Sequence, residues 1–364
     1  MRRLDQKSYT EAEVLRFLAA DSRKVSFRYE LTDREGRSLG DVTASGNISY
    51  DTSAEVAGYG SFNIREIREI NYIDERIKPY FRLFTPEGWL EYPLGVYLIM
   101  SPDRSALGGT VYREIEAYDR SIILKEDKFE SRYIVRAGER YINAVKQILT
   151  AAGIQLYDIE ECSAAVAVDV EFEIGTTKLK AVNILLDAIN YVPLHFNAYG
   201  YAVSYRYKEA MERDADREYE TGKHGIVYPG AVESKDAYNC PNVITRYLTT
   251  PERETMSATY VNDNPTSLLS TVSRGRRIVD VERMDDIADQ ETLNQYVRRI
   301  AMEKMVYQTI KFDTALMPGH EYRDCIMVRN DELELTGKYV ETAWSMDLKV
   351  GGKMRHTCRR AVGL

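Results

Sequence analysis

"ALMPGHEYRDCIMV", residues 315–328, brings His320, Glu321, Asp324 and Cys325 together in one short run. All four are metal-ligand residue types. The same run also reads as a tight turn feeding a strand. Pro318 fixes a backbone angle and Gly319 tolerates conformations that other residues avoid, so the pair sets a turn without any chemistry. "CIMV" then reads as a core strand in which Cys325 is a small buried side chain. On this reading His320, Glu321 and Asp324 are the solvated rim of a surface turn, and Pro318 and Gly319 are its structural residues.

The metal reading needs a second half, and the tail offers one. His356 and Cys358 are two apart, so on a strand both point to one face. With His320 and Cys325 they could close a tetrahedral zinc site. The usual zinc pairs sit on tight turns as CxxC and HxxxH, and neither occurs. The sequence therefore gives the expectation of no bound zinc or iron, no cofactor and no catalytic residue. It has no GxSxG, HExxH, GxxxxGK[ST] or GxGxxG. Close acid pairs are frequent, but with 57 acids in 364 residues chance explains them.

Outward from this run, the clearest helix is "DQETLNQYVRRIAMEKMVYQ". Asp289 can cap it, and Leu293, Val297, Ile300 and Ala301 fall on one face, giving a helix at about 289–307. Upstream, "GERYINAVKQILTAAG" and "TTKLKAVNILLDAIN" have helical spacing, and "PLHFNAYGYAVSYRY" reads as a hairpin. "MERDADREYE", 211–220, is a charge run expected to be a solvated loop or helix face. Near the start, Ser8 and Glu11 have capping-box spacing before a short helix. "VSFRYELTD" then opens a long region of alternating strands, with Val25, Phe27, Tyr29 and Leu31 on one face.

These segments predict a β-rich α+β chain. The expected parts are an N-terminal arm and helix over 1–21 and a first β domain over 22–119, a small barrel or sandwich. A mixed α+β module follows over 120–237, and a second β domain over 238–364 carries the long helix. Net charge is −8, which argues against a basic nucleic-acid-binding surface. No stretch approaches the ~18 apolar residues of a membrane span. Four scattered cysteines fit reduced thiols better than a disulfide scaffold. There are 27 tyrosines against 9 phenylalanines and 2 tryptophans, which suits strands and half-wet interfaces. The one basic cluster, "SRGRRIVD", offers Arg274, Arg276 and Arg277 for a subunit interface, since the whole chain is acidic.

The order of parts resembles the phage baseplate-hub family. The residues that carry the likeness are "LLDAINYVPLHFNAYGYAVSYRY", "NVITRY", the capped helix, "ALMPGHEYRDCIMV", "GKYVETAWSMDL" and "GGKMRHTC". That family includes the hub subunit of contractile tails and the N-terminal hub part of the siphophage tail-associated protein. Its turn has the form Pro-Gly-polar-Asp. Here Asp324 lies a few residues further from Gly319 than the family pattern has it. The resemblance implies two tube-like β barrels flanking the α+β module and a ring-shaped homotrimer at the tail tip. The implied partners are the tail tube or distal tail protein, the central spike or fibre, the tape measure protein and DNA in transit, with no membrane insertion. It implies a structural virion protein, assembled in the host cytoplasm and ending where the hub ends. A receptor- or carbohydrate-binding tail protein and a cell-wall hydrolase are the competing readings.

Overall fold

The computed structural model describes residues 3–66, 70–222, 225–238, 240–251 and 253–361. The chain begins with α1 (Glu11–Ala19), whose capping box is formed by Thr10 and Glu13. The sequence pointed to Ser8 and Glu11, two residues earlier. Ser8 instead donates its hydroxyl to Glu87, across to the strand region that follows.

Seven antiparallel strands come next: β1 (Val25–Thr32), β2 (Ser38–Asp51), β3 (Gly58–Arg65), β4 (Arg76–Thr85), β5 (Gly88–Pro93), β6 (Tyr97–Leu107) and β7 (Thr110–Tyr118). Six of them pair in the order β1-β4-β6-β7-β3-β2, and β2 pairs back onto β1. β5 folds onto β4 as a hairpin. The period-two pattern is why this works: Leu31, Ile48, Phe62, Ile64, Ile77 and Phe81 all turn inward and are buried.

The middle module holds α2 (Ser121–Glu126), β8 (Tyr133–Val135), α3 (Tyr141–Ala151), β9 (Tyr157–Ile159), β10 (Val170–Phe172), α4 (Lys178–Asp187), β11 (His195–Phe196) and β12 (Ala202–Ser204). Ile142, Val145, Ile148 and Leu149 of α3 share one core with Val182, Leu185 and Leu186 of α4. β11 and β12 are the hairpin read from the sequence, and β12 also pairs in parallel with β9.

Two short strands follow, β13 (Arg217–Glu220) and β14 (Val232–Lys235). β13 lies inside the charge run that was expected to be solvated. Its alternation is real: Arg217 and Tyr219 are buried while Glu218 and Glu220 face water. Arg217 tolerates burial because it pairs with Glu11 of α1 at 2.6 Å.

Next comes a compact layer of β15 (Val243–Thr250), β16 (Arg253–Val261), α5 (Thr271–Arg274), β17 (Val279–Arg283) and α6 (Gln290–Lys304). α6 is capped by Asp289, as its sequence indicates. Leu293, Val297, Ile300 and Ala301 pack with Ile244 and Leu248 of this small sheet. Ile300→Ala should therefore cost roughly 2–5 kcal/mol through the cavity it leaves. The shift of the urea midpoint measures this, and a neutral result would mean that this helix face is not packed.

The last strands are β18 (Gln308–Ala315), β19 (Cys325–Asn330), β20 (Leu335–Asp347) and β21 (Lys353–Arg360). They pair in the order β19-β20-β21-β18, with β13 added beside β19 and β14 beside β18. The sheet built by the tail thus recruits strands from before residue 238, while residues 243–304 build a core of their own. This differs from a boundary at 237/238. The cause is long-range pairing, which local periodicity does not report. The end of β20 also pairs with β2, so both strand groups merge into one 13-stranded sheet. Among the described residues no helix is long and apolar enough to cross a membrane.

Candidate functional site

The run 315–328 lies at the join of these strands. Gly319 adopts φ +89°, a left-handed backbone conformation that suits glycine. The turn is not solvated, however. His320 is 7% exposed and Asp324 1%, so the expected solvated rim is corrected to a buried cluster. The reason is β21: it places His356 beside the turn, and β20 places Glu341 between the two histidines.

Glu341 holds the centre. Its Oε2 accepts from His320 Nδ1 and its Oε1 from His356 Nδ1, both at 2.6 Å. The outer nitrogens are also engaged. His320 Nε2 lies 2.8 Å from the Tyr219 hydroxyl, and His356 Nε2 lies 2.8 Å from Thr314 Oγ1. The His356 ring stacks on Phe312 at 4.7 Å, and Trp344 closes the other side, 6.0 Å from the His320 ring. Burial would raise the Glu341 carboxyl, but the two imidazoles hold it at about 2. Burial pushes His356 below its ordinary range. Each Nδ1–H donates to the carboxylate and each Nε2 meets a hydroxyl, so every ring nitrogen has a partner.

The cysteines do not join this centre. Burial pushes the Cys358 thiol well up, so it stays protonated beside Glu341. Cys325 points its sulfur toward the Ala210 carbonyl at 3.5 Å. Of the four residues weighed for zinc, the structure brings together only the two histidines. The sequence reading missed Glu341, Tyr219 and Thr314. One signal was visible: an acid set within the apolar strand pattern of "KYVETAW".

A second buried charge cluster ties α6 to its surroundings. Arg299, 4% exposed, donates to the Tyr191 carbonyl at 2.7 Å and to Asp187 and Glu303, each at 3.3 Å. Arg323 pairs with the same Glu303. Beside it lies a cavity of about 380 Å³ lined by Tyr205, Tyr207, Met302, Tyr322 and the cations Arg213 and Arg359, among others.

The arginines of the basic cluster divide. Arg274 is spent within its own chain, donating to the carbonyls of Cys240 (3.1 Å) and Ala237. Arg276 and Arg277 are exposed.

No protein-family model matches this sequence, and no curated protein does. Solved structures do match along nearly its whole length. The tail protein from Neisseria meningitidis MC58 matches at a TM-score of 0.66 and 12% identity, covering 92% of this chain and 97% of that one. The 43 kDa tail protein of prophage MuSo2 from Shewanella oneidensis matches at 0.64 and 10%, over 93% and 99%. The prophage tail protein gp18 from Listeria monocytogenes EGD-e matches at 0.53 and 12%, over 91% and 94%. This chain has the fold of phage tail proteins, the class toward which the order of its parts pointed.

Proposed function

We propose that this chain is a baseplate hub subunit. Three copies form a ring at the tip of a phage tail or tail-like particle, join the tube end to a central spike or fibre, and gate the DNA channel. The observation that carries this is the match of nearly the whole chain to tail proteins, which are themselves covered over 97% and 99% of their length. The strand pairing supports it further. Six strands that close on themselves and a second strand group joined through β20 are two β modules per chain. Three copies would present six such modules, which suits a threefold tip on a sixfold tube. The first module is then one tube-like barrel, and the strands around β18–β21 are the other. The strongest acid–base cluster, around Glu341, is closed to solvent, which favours a structural role over hydrolysis.

Arg276 and Arg277 would meet carboxylates of a neighbouring subunit, with Arg274 fixing the loop that carries them. DNA passing a ring must not be held by cations along its path, and an acidic chain suits that. Replacing Arg276 and Arg277 together by Glu should weaken ring assembly. Sedimentation of the double variant checks this. Normal assembly with altered DNA release only would place the two arginines in the channel instead. Labelling this chain in intact particles under the electron microscope tests the location. Label at the tail tip is expected, and label along the tube or at the head would refute it.

A further inference from the structure

The His320–Glu341–His356 cluster has the donor set of a metal centre, although the sequence spacing argued against one. CxxC and HxxxH are local pairs, whereas here the two histidines come from distant segments and Glu341 lies between them. We propose that these three residues bind one divalent transition-metal ion of the zinc class, which locks the buried turn to β20 and β21.

Four observations carry the proposal. First, the ligand atoms come from three separate segments yet lie within 4.8 Å of one another. Two imidazole nitrogens and a carboxylate oxygen suit zinc and its first-row neighbours better than magnesium or calcium. Asp324 Oδ2, 3.9 Å from His320 Nδ1, is a fourth oxygen nearby.

Second, the outer nitrogens are already oriented. Tyr219 and Thr314 each hold an Nε2 at 2.8 Å. A ligating imidazole is usually fixed through its other nitrogen in just this way. For a neutral ring, loading the metal at Nδ1 needs no net proton loss. Each proton moves from Nδ1 to Nε2, and each hydroxyl changes from donor to acceptor.

Third, without a metal the buried Glu341 carboxylate is paired only with the two imidazoles; among the described ion pairs no Lys or Arg reaches it. Buried charges are normally paired with a cation or coordinate a metal.

Fourth, the backbone departs from regular pairing to aim Glu341 inward. Opposite β21, Glu341 faces Cys358 while Ala343 already faces Thr357, so Thr342 is an extra residue. Such bulges re-aim side chains next to sites. The ligand atoms must reach a common spacing, the shortest contacts opening while the widest pair, at most 4.8 Å apart, closes. Zinc bonds of about 2.0–2.2 Å in a tetrahedron set ligand atoms about 3.3 Å apart, so the two 2.6 Å contacts must open by well under an ångström. Closed on all sides, the ion would serve the fold and perform no reaction.

The test uses the full chain, stripped with chelator and titrated with Co²⁺ as an optical probe, then with Zn²⁺ as competitor. One equivalent should bind, with visible bands that Zn²⁺ abolishes and a rise in melting temperature. His356→Asn should abolish uptake. Tyr219→Phe and Thr314→Val, which leave every ligand in place, should weaken binding about 10–100-fold. A folded wild-type chain that takes up neither ion refutes the proposal without recourse to any variant. So does one equivalent bound equally well by folded His356→Asn.

Discussion

Glu341→Leu should destabilise the chain by about 3–5 kcal/mol, one of the two largest losses expected of any single substitution here. The carboxylate accepts one N–H from each of two buried imidazoles. Removing it leaves both donors facing apolar surroundings, and an unsatisfied buried donor costs about 1–3 kcal/mol. The leucine also cannot satisfy them by any rotamer, because the ring stacks on Phe312 and near Trp344 hold both imidazoles in place. Tyr219→Phe is the graded control. It removes one hydroxyl from the rim of the network and should cost about 1 kcal/mol. Urea unfolding followed by the fluorescence of Trp344, which sits against His320, reads both. Equal midpoints for Glu341→Leu and the natural sequence would mean that the cluster does not hold the strands together.

Arg299→Ala should cost a similar amount, about 3–5 kcal/mol, for a related reason. The guanidinium serves the Tyr191 carbonyl, Asp187 and Glu303 at once. Glu303 keeps a second partner in Arg323, so its loss is partial. The Tyr191 carbonyl loses its charged donor, and the partly buried Asp187 loses its cation. The ring faces of Tyr207 and Tyr296, 5.2 and 5.5 Å from the guanidinium, also lose a cation–π partner. Arg299→Lys should recover only part of the loss, since an ammonium lacks the planar fork that reaches several acceptors. The cost should appear as detachment of α6 from the α3–α4 module, read by hydrogen exchange of α4 amides. A loss below about 1 kcal/mol in Arg299→Ala would show that α6 docks through its apolar face alone.

What the sequence disclosed follows the range of the interactions. α3, α4 and α6 are local, so apolar spacing and the Asp289 cap exposed them. The first strands largely alternate: Val25, Tyr29 and Leu31 are buried as their spacing requires, and Phe27 is half-buried against the same core. β13 was hidden because its inward positions are Arg217 and Tyr219, and the Arg217 charge is paired with Glu11 of α1, a distant segment. The buried centre was hidden for two reasons. Its histidines are brought together by pairing between distant strands. In addition, regular alternation through "YVETAW" cannot put both Glu341 and Trp344 on one face. The bulge at Thr342 does so, and Tyr339, Glu341, Trp344 and Met346 are all buried. The turn's Pro318 and Gly319 were legible, while its burial was not.

A ring of three chains implies a definite mass for the purified chain in solution. Light scattering across a concentration series should give a species three times the mass of one chain at high concentration, and Arg276→Glu with Arg277→Glu should reduce it. A single-chain mass at every concentration, together with one copy of this chain per tail tip in intact particles, would contradict it.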